Sequence, residues 1–339
     1  MRKFLFGLVL CLPLPALADA PGVISDVIDN HILPRIETLA DTGAALDAAA
    51  QADCRADSAG LRSAYQTAFD AWTSASHLRF GPTETGNRAF ALAFWPDSRG
   101  MGPKALRGMI LGEDPVVNDP GAFASASVAV RGYFALDLLL YDPGFAELGT
   151  PAYRCSLIRA VSHDIADLTG AIRDEWGGSY ADTMRNAGAN ETYRSTDEAL
   201  QELYKALYTG LEFTANTRLG QPLGTFDRPR PKRAEAWRSG RSLRNVELSL
   251  QSLRDLTAHL AEDAGDDPDL ASQIDYAFGR AIDSARALDD PIFAGVADPM
   301  ARFRVESLQQ MLFAIRNAVR GELGPALGVS EGFSINDGD

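Results

Sequence analysis

Asp137 is the carboxylate at the centre of "RGYFALDLLLYD", residues 131–142, a run otherwise suited to burial on a helix. Taking an ionised carboxylate out of water costs several kcal/mol unless it is paired or hydrogen-bonded. Asp137 therefore either faces water or belongs to a site. On a helix, Tyr133 and Phe134 lie four and three positions before it, so all three project toward one region. There Asp137 can accept a hydrogen bond from a phenol or pair with an arginine. The alternative is a polar network that only fixes how helices pack.

Other standard chemistry is scarce. His31, His77, His163 and His259 are far apart and no H-E-x-x-H occurs, which argues against a zinc peptidase with contiguous helix ligands. Ser162, His163 and Asp164 are adjacent, and adjacent side chains on a helix diverge, so they form no triad. "AEDAGDDPDL", 261–270, lacks calcium-loop spacing and reads as a solvated turn. No glycine-rich phosphate loop is present.

The elements that position these residues are helical. Leu61, Tyr65, Phe69 and Trp72 form one stripe, and Ile158, Val161, Ile165, Leu168 and Ile172 alternate three and four apart. The spacing returns at Leu200, Leu203, Leu207 and Leu211, at Leu243, Val246, Leu250 and Leu253, and at Leu308, Met311, Leu312, Ile315 and Val319. With no alternating β-branched runs, the expected fold is all-α, with helices long enough for two tandem four-helix-bundle-like lobes. Residues 79–121 hold seven Gly and five Pro among aromatics and read as a long functional loop or lid. A second such stretch, 218–237, carries a basic cluster. "HLRFGP" at 77–82 and "NTRLGQP" at 216–222 look like one helix exit used twice, a hint of internal duplication.

Residues 1–18 combine Arg2 and Lys3, an apolar stretch and a small-x-small ending, the pattern of a secretory signal peptide. Residues 19–185 and 186–339 are then the two helical bundles. No run approaches the roughly 20 apolar residues of a transmembrane helix. Leu10 stands before Cys11 where a lipoprotein signal needs a small residue. Cleavage leaves Cys54 and Cys155, which in an oxidising compartment pair as a disulfide. The formal charge of −14 grows more negative once Arg2 and Lys3 leave, which argues against nucleic acid and anionic membrane surfaces as partners.

At residues 132–137 the chain resembles the imelysin family, also called M75 peptidases or insulin-cleaving membrane proteases, whose hallmark is G-x-H-x-x-E. Gly132 matches its glycine, Phe134 stands where the family has histidine, and Asp137 where it has glutamate. "AWTSASHLRFGP" resembles the family's tryptophan helix, "FWPDSRG" its next loop, "EAWRSGRSLRNVELSLQSLRDL" a second-half helix, and "LGPALGVSEGFSINDGD" its C-terminal tail. The resemblance implies an envelope protein of two helical lobes with a site between them, associated with iron acquisition, some members carrying a peptidase label.

A phenyl ring neither ligates a metal nor shuttles a proton, so Phe134 removes the best-placed ligand or base. The leading expectation is a periplasmic, non-catalytic binding or accessory protein near iron uptake, with outer-membrane attachment left open. Its pocket would take Trp72, Arg79, Trp95, Tyr133, Phe134, Asp137, Ser239, Ser242 and Asn245. Its partner would be a small ligand or an envelope protein. Iron or another metal remains open as a cofactor, with Asp137 the only motif carboxylate. The alternatives are a metal-dependent M75-type peptidase, with His77 the nearest available histidine, and a scaffold that binds a protein partner.

Overall fold

The computed structural model describes residues 20–262 and 268–329. The proposed signal peptide, most of the acidic turn and the end of the C-terminal tail lie outside them. The principal helices are α1 (Ala20–Asp26), α2 (Leu33–Ala52), α3 (Ala59–Ala75), α4 (Gly132–Tyr141), α5 (Pro151–Glu175), α6 (Thr196–Glu212), α7 (Ser242–Ala261), α8 (Pro268–Arg286) and α9 (Pro299–Ala318). Among the described residues there is no strand, and no helix is long and apolar enough to cross a membrane.

Local chemistry sets the helix starts. The Ser58, Thr150 and Ser195 hydroxyls accept from the backbone N–H three residues on, and Asp298 accepts from Met300 and Ala301. Pro151 and Pro299 sit in first turns, where their missing N–H costs nothing. Each of the five apolar stripes packs inward, with Tyr65, Phe69, Val161, Ile165, Leu207, Leu250 and Leu312 fully buried.

Helices α2 to α5 pack as one group and α6 to α9 as another, with α3 against α7 at the seam. The short α1 belongs to the far side, because it packs on α6 and α7. A π-helical turn, Val27–Ile32, carries the chain from it into α2. The Gly/Pro-rich stretch 79–121 is not the open loop expected from its composition. It folds into helical pieces, including Arg88–Leu92 and Met101–Gly112, because most of its breakers, Gly108 apart, fall between or near the ends of those pieces.

Two contacts fix α4. The Arg131 guanidinium forks onto buried Asp164 of α5, Nε to Oδ2 at 2.9 Å and Nη2 to Oδ1 at 2.6 Å. Gly132, at φ +70°, passes so near the preceding segment that a Cβ would lie 2.2 Å from the Ala91 carbonyl oxygen. Gly132→Ala is therefore expected to cost about 3 kcal/mol or more in urea unfolding. An unchanged midpoint would contradict this close approach.

Cys54, in the turn between α2 and α3, is bonded to Cys155 of α5, a separation of 101 residues. Replacing both by serine should lower stability by roughly 4 kcal/mol on the chain-entropy model, measured by denaturant titration under oxidising conditions.

Candidate functional site

Asp137 is buried, 2% exposed, yet has partners from two other elements. Its Oδ1 accepts from the Ser239 backbone N–H at 3.2 Å and from the Tyr65 hydroxyl of α3 at 3.4 Å. Burial pushes its carboxyl up to about 6, against the opposing hydrogen bonds from Ser239 and the nearby Arg238 charge. It lines a small cavity of about 180 Å³ together with Arg131, Lys232, Arg233 and Arg238.

Phe134 and Trp95 form a partition. Their rings stack 6.1 Å apart at 11°, and both line the small cavity and a much larger cleft of about 790 Å³. The cleft is walled by the end of α3 (Trp72, Ser76, His77), by Arg79 and Phe80, and across the seam by α6, Phe213, Arg218 and Ser249. Trp95 also meets the edge of Phe213 at 5.9 Å, so the partition touches both helical groups.

Most charges on the cleft wall are paired. Arg218 and Glu235 are both buried and joined at 2.8 Å, and Arg218 also donates to the Ser76 hydroxyl. Arg79 pairs with Glu84, Lys205 with Glu202, and Glu212 with Arg316. Such a wall suits an amphipathic ligand better than a polyanion.

The structure thus brings Trp72, Arg79, Trp95 and Phe134 onto the cleft, and Asp137 and Ser239 together behind the partition. Tyr133, Ser242 and Asn245 do not join them. Tyr133 turns into the core, stacked on Phe69 at 4.9 Å, and its hydroxyl has no hydrogen-bond partner among the described residues, so it does not wall the cleft or bond Asp137. Tyr65, from a different helix, supplies the phenol instead. The Ser242 hydroxyl donates to the Glu235 carbonyl and is spent on a turn, as is that of Ser239 on Ala236. Asn245 is fully buried one turn before Ser249, which does reach the cleft. Arg218, Glu235 and Phe213 were not singled out from sequence, although "NTRLGQP" pointed at Arg218 as a partner of Arg79. Both arginines flank the cleft, but Arg79 follows the end of α3, whereas Arg218 lies within the π-helical continuation of α6, Phe213–Leu219.

The donors around Asp137 do not fit a resident metal ion. Two carboxylates, Asp137 and Asp97, stand among four cationic side chains; Asp97 is spent on the Met101 and Gly102 backbone N–H groups, and among the described residues no imidazole is hydrogen-bonded to Asp137. Among the described residues, the one cluster with three ligand atoms within 4.8 Å is Asp26, His259 and Glu262, at the end of α7.

An all-α protein of two helical groups, with an aromatic cleft along their seam, is the class that this geometry defines. The chain belongs to the imelysin family (Peptidase_M75), whose sequence pattern matches residues 32–319. It is 22% identical over 324 residues to iron-regulated protein A of Synechococcus elongatus, covering 89% of this chain and 85% of that one. Its fold is similar to that of an imelysin-like protein from Psychrobacter arcticum, with a TM-score of 0.76, 18% identity and coverage of 94% and 100%. A protein described as an iron-regulated protein A precursor, from Parabacteroides distasonis, has the same TM-score at 13% identity, with 93% and 98% covered.

The Asp137 carboxyl sets a pH dependence. Its folded-state value lies above the ordinary one, so its contribution to stability is full below about pH 4 and is lost as pH rises through about 6. Asp137→Asn removes that loss. The melting temperature of the variant relative to the natural protein should gain on the order of 5 °C between pH 4.5 and 7.5. A difference independent of pH would show that the acid is not held neutral.

Proposed function

We propose that this protein is exported to the periplasm and serves there as a non-catalytic binding or accessory protein of an iron-uptake system. Its ligand seats in the cleft between the two helical groups. The observation that carries this reading is the cleft itself, whose wall joins Trp72, Arg79, Trp95 and Phe134 of the first group to Phe213 and Arg218 of the second. The disulfide fits an oxidising compartment, and two of the similar proteins are described as iron-regulated. The ligand it suits has a flat apolar body for the aromatic rings and a polar group within reach of Arg79.

The M75 peptidase reading draws on one observation, His77 on the cleft wall. Against it stand the phenyl ring at 134 and the cationic surroundings of Asp137, which disfavour a bound metal.

The test uses 1-anilinonaphthalene-8-sulfonate, a flat aromatic anion, titrated into the folded protein. Saturable one-site binding is expected, weakened roughly tenfold by Trp95→Ala and roughly threefold by Arg79→Ala, with melting temperatures little changed. Tyr133→Phe should leave binding as it was. Non-saturable binding, or indifference to Trp95→Ala, would sink the cleft as the ligand site.

A further inference from the structure

Three of the four histidines form one chain with two aspartates. His31, in the π-helical turn after α1, places Nε2 2.8 Å from Nε2 of His77 and Nδ1 2.8 Å from Oδ2 of Asp255 on α7. Arg35 holds the same Asp255 oxygen at 3.0 Å. Beyond it, His259 lies 3.7 Å from Asp255 and 2.6 Å from Asp26. The chain therefore runs from the partly exposed Asp26 to His77 on the cleft wall.

The geometry at the buried pair is that of a hydrogen bond. The ring centroids of His31 and His77 are 5.0 Å apart, close to the N···N distance plus a ring radius at each end. The two nitrogens thus face head on, whereas imidazoles sharing an ion would be bent about it.

The proton positions follow by elimination. Burial, with the charge of Arg35, lowers His31 to about 4; burial, His31, Arg35 and Arg218 lower His77 further, so both rings are neutral at pH 7. Asp255 is ionised: burial raises its pKa, but the His31 hydrogen bond and Arg35 outweigh that. A carboxylate only accepts, so His31 carries its proton on Nδ1 and its Nε2 is bare. A bare nitrogen cannot donate, so His77 carries its proton on Nε2. His77 Nδ1 is then a naked lone pair. It has no hydrogen-bond partner among the described residues, on a residue that lines the cleft.

We propose that His77 Nδ1 is a fixed, uncharged acceptor for an O–H or N–H group of the cleft's ligand, with its tautomer set by Asp255 through His31. This rests on the reading of the cleft as a ligand site and adds the ligand's chemistry, a neutral or weakly acidic donor such as a phenol on a flat apolar body. A cationic ligand atom is disfavoured. The charged groups facing His77 are Arg35 from α2 and Arg218, the latter balanced by Glu235, with Asp255 and His259 beyond His31 and Glu202, Lys205 and Glu212 along the α6 wall.

Two measurements test it on the intact protein. Long-range 1H–15N spectra of the imidazoles at pH 7.5 should show His77 protonated at Nε2 alone and His31 at Nδ1 alone. A proton on His77 Nδ1 overturns the assignment. At pH 6, 4-nitrophenol should bind roughly fivefold more tightly than 4-nitroanisole, which lacks the donor. Asp255→Ala, at a partly exposed position outside the cleft wall, removes the acceptor that fixes the His31 tautomer and should abolish that preference while leaving 4-nitroanisole binding and far-UV circular dichroism intact. Equal binding of the two probes in the natural protein overturns the acceptor and leaves the cleft standing. Binding of neither overturns the cleft reading, and the acceptor's ligand with it.

Discussion

The Arg241 guanidinium, buried between α7 and α3, is the constraint on which the rest of the molecule depends. A buried charge is tolerated only when it is paired, and its partners are Asp70 and the side chain and carbonyl of Gln66, one turn apart on α3. The Phe69 ring lies beneath it at 4.8 Å. Because α3 belongs to one helical group and α7 to the other, this pairing sets their register along the seam. Ser252 repeats the lock two turns or more further along, donating to the Ser74 carbonyl and accepting from Arg35. The turn that leads into Arg241 is thereby held against α4, which is how Ser239 reaches Asp137.

With the register set, the cleft and the buried acid become two sides of one partition. Phe134 is edge-on to Phe69 and parallel to Trp95, so the phenyl ring closes the wall where a polar side chain would open it. Asp137 is left behind that wall, buried away from water, which is why it holds its proton to higher pH than a surface carboxylate despite the Arg238 charge nearby. The two cavities differ accordingly, the small one cationic around a weak acid and the large one aromatic with most of its charges paired.

Much of this was legible in the sequence because it is local. A period of three and four residues marked the buried faces of α3, α5, α6, α7 and α9, and an isolated acid in an apolar helix marked a buried polar contact. What escaped is what only tertiary structure assembles. Tyr133 shares a helix with Asp137 at a spacing that allows contact, yet packing against Phe69 turns it away, and Tyr65 takes its place from another helix. Ser242 and Asn245 have the polarity of site residues and share the α7 stripe of Ser249, but they lie one to two turns short of the cleft and are buried there. The chain linking His77, His31 and Asp255 is scattered across three elements, and no motif spacing joins them. The breakers in 79–121 were read as a loop because composition does not show whether they fall within helices or between them.

The position of the Cys54–Cys155 bond bears on how the molecule is assembled. The bond ties α5 to the turn at the start of α3, while the cleft lies at the other end of that helix, about 25 Å away for its 17 residues. Both sulfurs precede residue 156, so sealing the covalent loop needs nothing from α6 to α9. As the polypeptide emerges in order, the first group can be oxidised and closed before the second exists. The seam would then form by docking late-arriving helices on a finished template.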